Sequence, residues 1–149
     1  MTIDEEVELL RNIPLFAKVD PAKLKLLAFA SERAVFAPGE TLFHQGDPGD
    51  AAYIIIGGEA DVLINGAGGP IAVATVRKND FVGEIAILCD VPRTASVRAI
   101  SALTTLRITK DLFLRMLMDF PAIGIEVMRV LAQRLEHTTE RLRDALGRR

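Results

Sequence analysis

The chain has 149 residues, half of them hydrophobic, a formal net charge of −2 and a single cysteine, Cys89. That length and apolar content suit one folded domain with its own core; they exclude a disordered chain, a disulfide-stapled framework and a globally basic nucleic-acid binder. The acidic start MTIDEEVELL lacks the basic-then-apolar order of a signal peptide, and no apolar run reaches the ~18 residues of a membrane span, so a cytoplasmic protein without membrane contact is expected.

Residues 4–12 (DEEVELLRN) place acidic side chains in a first turn with Val7 and Leu10 following, which predicts a short helix. Asp20-Pro21 opens a second one, with Asp20 as N-cap, Pro21 at the first helical position and Val19 stapled to Leu24. Leu24, Leu27 and Ala28 mark its buried face. From Glu32 to Ile108 the texture changes to short apolar runs (AVFA, TLF, AAYIIIG, ADVLI, IAVATV, ASVRAI, TTLRI) parted by turn chemistry rich in Gly, Pro and Asn. Strands this short and this evenly spaced predict a mainly β fold with flanking helices, an all-β roll or barrel with many tight corners. Gly39, Gly46, Gly49 and Gly58 are assigned to positive-φ corners, and Asn65–Pro70 to a hairpin tip.

After Thr109 helical spacing returns. Lys110–Asp119 reads as one helix stopped by Phe120-Pro121, and 122–146 as a longer one. Within the longer helix Leu131, Leu135, Thr138, Leu142 and Ala145 alternate spacings of four and three, the seam of a short coiled coil through which a homodimer could form. The expected organisation is one domain over 1–149, with N-terminal helices at 1–31, the β-roll at 32–109, and hinge and lid helices at 110–149. No helix-turn-helix is expected after Leu146, and so no direct contact with nucleic acid.

The chemistry concentrates at residues 81–98, between strands, in FVGEIAILCDVPRTASVR. Gly83 lets the backbone approach a ligand where a Cβ would collide. The turn that follows leaves the N–H groups of Ile85 and Ala86 free to favour an oxyanion. Pro92 delivers Arg93 opposite, a planar fork able to grip two phosphate oxygens, with the Thr94 hydroxyl beside it. Glu84 can accept a hydrogen bond from a sugar hydroxyl. Taken singly, Glu84 reads equally well as a solvated turn carboxylate, Arg93 as the ion-pair partner of Glu84 or Asp90, and Thr94 as a plain strand-start residue. Only their joint order selects an anion with an adjacent sugar hydroxyl.

GEIAILCDVPRTASVRA resembles the phosphate-binding cassette of the cyclic-nucleotide-binding domain family, which includes kinase regulatory subunits, nucleotide-gated channels and catabolite-activator-like proteins. The resemblance extends over LFAKVDPAKLKLLA, similar to the family's leading helices, and APGETLFHQGDPGDAAYIIIGGEADVLI, similar to its first strands. It implies a mainly β fold with flanking helices, a β-roll that is jelly-roll-like in the manner of a double-stranded β-helix, in which Glu84 takes the ribose 2′-hydroxyl and Arg93 the cyclic phosphate, with Thr94 and the Ile85 and Ala86 amides as further donors. RLEHTTERL resembles the long dimer helix of the catabolite-activator-like members, which implies base contacts from Thr138 and Thr139. Leu135 and Leu142 are the apolar alternatives as lids, and Arg134 or Arg141 an alternative that stacks on the purine.

The ligand expected is cAMP, with cGMP admitted. Thr94 can meet the exocyclic amine of a syn guanine, whereas the helix threonines can accept from adenine, which favours cAMP. No enzyme and no cofactor are expected. The two histidines, His44 and His137, lie far apart in sequence and form no metal set, and no Ser/His/Asp or Cys/His constellation appears. The function expected is a stand-alone receptor that switches its C-terminal helices for an unidentified effector protein. The alternative is a β-roll interaction module that has lost nucleotide binding.

Overall fold

The computed structural model describes residues 2–147. Helix α1 (Ile3–Arg11) begins at Thr2, whose hydroxyl accepts from the Glu5 amide, and a 3-10 turn follows at Pro14–Phe16. Helix α2 (Pro21–Ala30) is capped as its sequence dictates: the Asp20 carboxylate accepts from the Ala22 amide and Pro21 fills the first turn. Val19 and Leu24 are both buried, and Leu24, Leu27 and Ala28 form the inward face.

Eight strands then build two antiparallel sheets. They are β1 (Glu32–Phe36), β2 (Thr41–Phe43), β3 (Ala51–Gly57), β4 (Ala60–Gly66), β5 (Gly69–Val76), β6 (Phe81–Val82), β7 (Ser96–Ala99) and β8 (Leu103–Thr109). One sheet has the order β1-β8-β3-β6 and the other β2-β7-β4-β5. The β4–β5 hairpin pairs Asn65 with Pro70 and Gly66 with Gly69 at its tip. A five-residue helix, α3 (Glu84–Leu88), interrupts the strands between β6 and β7. Helices α4 (Lys110–Asp119) and α5 (Pro121–Gly147) close the chain, α4 capped by the Thr109 hydroxyl on the Leu112 amide.

Strand β3 explains the architecture. Its run AAYIIIG is buried on both faces: Ala52 and Ile54 pack into a core shared with α1, α2, α4 and α5, whereas Ala51, Tyr53 and Ile55 pack against the second sheet. A strand that lies between two cores has no polar face, so its sequence loses the alternation of a half-exposed strand.

Two expectations are corrected, and one strand goes unannounced in the sequence. Gly39, Gly46 and Gly58 have positive φ, but Gly49 does not. Gly49 is needed for space, because a Cβ there would run into the Ala86 side chain of α3. Strand β6 is only two residues long, paired as Tyr53 with Val82 and Ile54 with Phe81, too short for any periodicity to announce it. The apolar seam of α5 is also rotated. Leu131 packs partly against the core, while Ile125, Met128, Leu135, Leu142 and Leu146 are exposed. With exposed Ala132 and Thr139 they give an unbroken three-four alternation, 125-128-132-135-139-142-146, over three heptads.

Candidate functional site

The site begins where the chain leaves β6. Gly83, at φ 86°, starts α3 with no side chain capping the helix. A Cβ at Gly83 would stand 2.7 Å from Arg93 Nη1 and 3.1 Å from the Ala51 carbonyl oxygen, so both the φ and the approach of the arginine require glycine. The corner before β3 is stitched to the same place. The Arg93 amide donates to the Asp47 carbonyl at 2.8 Å, and the Gly46 amide to the Arg93 carbonyl at 2.9 Å.

Arg93 is 3% exposed. Its Nη1 donates to the Gly83 carbonyl at 2.8 Å, and its Nη2 to the Ala51 carbonyl and to Asp50 Oδ1 at 3.3 Å. The guanidinium carbon lies 4.0 Å from the centre of the Phe43 ring. Burial lowers the Arg93 pKa, and neighbouring Asp50 pushes it back up. Asp50 is itself shared with Arg107 Nη2 at 3.2 Å. Arg93 Nε is buried with no hydrogen-bond partner. A buried cationic donor left empty costs on the order of 1–3 kcal/mol, unless an anion or water completes it.

Glu84 is 2% exposed. Arg134 reaches across from α5, donating Nη1 to Glu84 Oε1 at 2.8 Å and Nη2 to the Phe81 carbonyl at 2.8 Å. Its guanidinium carbon stands 4.7 Å from the centre of the Phe81 ring. Burial raises the Glu84 carboxyl above the usual carboxylate range, outweighing the attraction of Arg134. The carboxylate is therefore held by one cation and remains costly to ionise.

A cavity of about 190 Å³ opens between these elements. Gly83, Glu84, Ile85, Ala86, Arg93 and Thr94 all line it, so the residues singled out at 83–94 converge. The opposite wall is made by Val62 of β4 and Ala74 and Val76 of β5, with Phe43 and Val97 between. The four lid candidates on α5 do not line it. Leu135 and Thr139 border a separate groove on α5, and Thr138 and Leu142 are exposed. The Thr139 hydroxyl is spent on the Leu135 carbonyl at 2.8 Å. Arg134 stands at the cavity in their place, and Arg141 reaches only the Val73 carbonyl at 3.4 Å. Sequence reasoning named Arg134 as a stacking group but missed its pairing with Glu84. The signal was present: a carboxylate on a buried turn needs a cation, and Arg134 shares the core-facing side of α5 with Val127. Asp50 and Phe43 were missed altogether. Among the described residues no three His, Cys, Asp or Glu side chains are grouped to hold a metal ion, and no helix is long and apolar enough to cross a membrane.

A family model described as cyclic nucleotide-binding domain matches residues 33–120. The chain is 36% identical over 108 residues to a cAMP-dependent protein kinase regulatory subunit of Aspergillus niger, which covers 72% of this chain and 26% of that protein. It is 31% identical over 140 residues to a CRP-like cAMP-activated global transcriptional regulator of Mycobacterium tuberculosis, covering 93% of this chain and 62% of the regulator. The chain thus spans only part of the length of these relatives. A solved regulatory subunit of a cAMP-independent protein kinase A from Trypanosoma cruzi, bound to guanosine, superposes with a TM-score of 0.73 at 27% identity. That match covers 83% of this chain and 44% of that one.

Proposed function

The chain belongs to the cyclic nucleotide-binding domain family, and on that premise we propose that it is a cyclic-nucleotide receptor that binds cAMP, admits cGMP and carries out no catalytic step of its own. The observation that supports this most is the buried Arg93, whose Nε lacks a partner, beside the buried Glu84 in one cavity. A cyclic phosphate fits the guanidinium and the start of α3, with Thr94 at its edge. A ribose 2′-hydroxyl fits the Glu84 carboxylate.

Binding then competes with the contact that α5 already makes. A hydroxyl donating to Glu84 replaces part of what Arg134 supplies, so the ligand biases the position of α5 through differential contacts. That movement is the signal to an effector protein, and the exposed seam of α5 is the surface that carries it. Ile125 at one seam position and Leu135 and Leu142 at the other favour a parallel two-stranded pairing with a second copy. Sedimentation velocity at high protein concentration is expected to show a dimer whose stability changes with nucleotide. A monomer under both conditions removes the helix-paired arrangement.

The guanosine-bound relative favours one other reading, a nucleoside receptor that needs no phosphate. A thermal-shift titration with cAMP, cGMP, 5′-AMP and guanosine separates the two. A specific ligand at ~100-fold its dissociation constant stabilises the fold by ~2.7 kcal/mol. Cyclic nucleotides are expected to give that shift and guanosine much less. An equal shift with guanosine transfers the site to nucleosides, and no shift with any of the four leaves an interaction module without nucleotide.

A further inference from the structure

A chain of alternating charges runs from the edge of the first sheet to the cavity. Strand register places Arg107 of β8 opposite Glu32 of β1 on one side and Tyr53 of β3 on the other. Its Nη1 lies 3.6 Å from Glu32 Oε2, and its Nη2 donates to Asp50 Oδ2 at 3.2 Å. The other oxygen of Asp50 accepts from Arg93 Nη2 at 3.3 Å. One carboxylate is thus divided between two guanidiniums, Arg93 lining the cavity and Arg107 outside it. The Asp50 backbone is pinned, its carbonyl accepting from the Lys110 amide at 2.9 Å. Its side chain is 68% exposed, so it can turn, and the competition of the two arginines decides where it points.

Asp50 is not what places Arg93. The Gly83 and Ala51 carbonyls already hold Nη1 and Nη2 at 2.8 and 2.6 Å. Towards an anion, however, Asp50 is a rival, because it takes a donor of the same guanidinium and repels negative charge arriving beside it. Ion pairs this exposed contribute little to stability, so the weight of Arg107 falls on binding more than on folding. We infer that Arg107 is a positioning residue of the anion site: it draws the Asp50 carboxylate away from Arg93 and neutralises it, which leaves the Arg93 guanidinium available to an anionic ligand. The inference rests on the cyclic-nucleotide reading above and adds to it a residue that acts only through Asp50. Without Arg107, Asp50 turns its whole charge onto Arg93, and a ligand has to displace it.

Calorimetric titration of the full chain with cAMP tests this in wild type, Arg107→Met, Asp50→Asn and the double variant. Arg107→Met is expected to bind about three- to tenfold more weakly than wild type. In the Asp50→Asn background the same substitution is expected to change affinity by less than about twofold, because the rival charge is gone. Arg107→Lys, which keeps a cation on Asp50, is expected to retain most of the wild-type affinity. Should Arg107→Met fail to fold, Arg107→Gln takes its place in the same cycle. Undiminished affinity in the uncharged variant, or a loss as large with Asp50→Asn as without it, overturns the inference while leaving the receptor reading intact. Failure of the wild type to bind cAMP overturns both.

Discussion

Arg93→Ala is expected to lower cyclic-nucleotide affinity by at least about tenfold, since a charge-assisted, forked contact to an anion is worth on the order of 1.5–3 kcal/mol. The same change should lower the melting temperature of the ligand-free protein. The guanidinium ties the Gly83 and Ala51 carbonyls together and covers the Phe43 ring, so its removal takes a buried donor from two carbonyl oxygens and leaves a cavity. Loss of fold and loss of contact must therefore be distinguished, and Arg93→Lys does so. A lysine keeps a charge and part of the packing but presents a point donor in place of a fork, and should recover stability more than affinity. Calorimetry on both variants, with folding checked by circular dichroism, reads the two effects apart. A folded Arg93→Ala protein with undiminished affinity would remove Arg93 from the ligand site.

Much of this arrangement could be read from the sequence, and the parts that could not share a physical reason. The cap at Asp20, the stop at Phe120-Pro121 and the strand runs are set by residues within one turn or one strand of the feature they specify. The cassette at 81–98 is equally local: Gly83, Glu84, Arg93 and Thr94 meet because a short helix and one turn bring them together. What escaped depends on distant partners. Gly49 is fixed by Ala86, Asp50 by Arg93 and Arg107, and Glu84 by Arg134 fifty residues away. The α5 seam was misplaced by one position for the same reason. Heptad spacing fits both registers, and only docking against the core shows that Leu131 is occupied and Met128 is free. Thr138 lies one turn from Arg134, the residue of α5 that lines the cavity of this chain.

That long-range pair supplies the second large effect. Arg134→Ala leaves the Glu84 carboxylate, 2% exposed, without its cation. Breaking a fully buried pair from one side costs about 3–5 kcal/mol. Because the Arg134 side chain is 37% exposed, solvent screens part of that, and a loss on the order of 1–3 kcal/mol is expected near neutral pH. The sign of the pH dependence follows from Glu84. Its folded-state pKa is raised by burial, so the folded protein prefers the protonated acid. Stability from this group is fully present below the unfolded carboxylate pKa and is lost as pH rises through the folded value. Arg134 opposes the upward shift, and without it the folded value climbs further and the loss extends to higher pH. The Arg134→Ala protein should therefore nearly match wild type at about pH 4 and fall increasingly behind it towards about pH 8. Adding Glu84→Gln removes the charge that suffers, so the double variant should recover most of the deficit near neutral pH, although Glu84→Gln alone is expected to weaken nucleotide binding. Melting temperatures of the four proteins across that pH range complete the cycle. A deficit that is the same at every pH, and is not rescued by Glu84→Gln, would mean that Arg134 acts by covering the Phe81 ring rather than by holding the carboxylate.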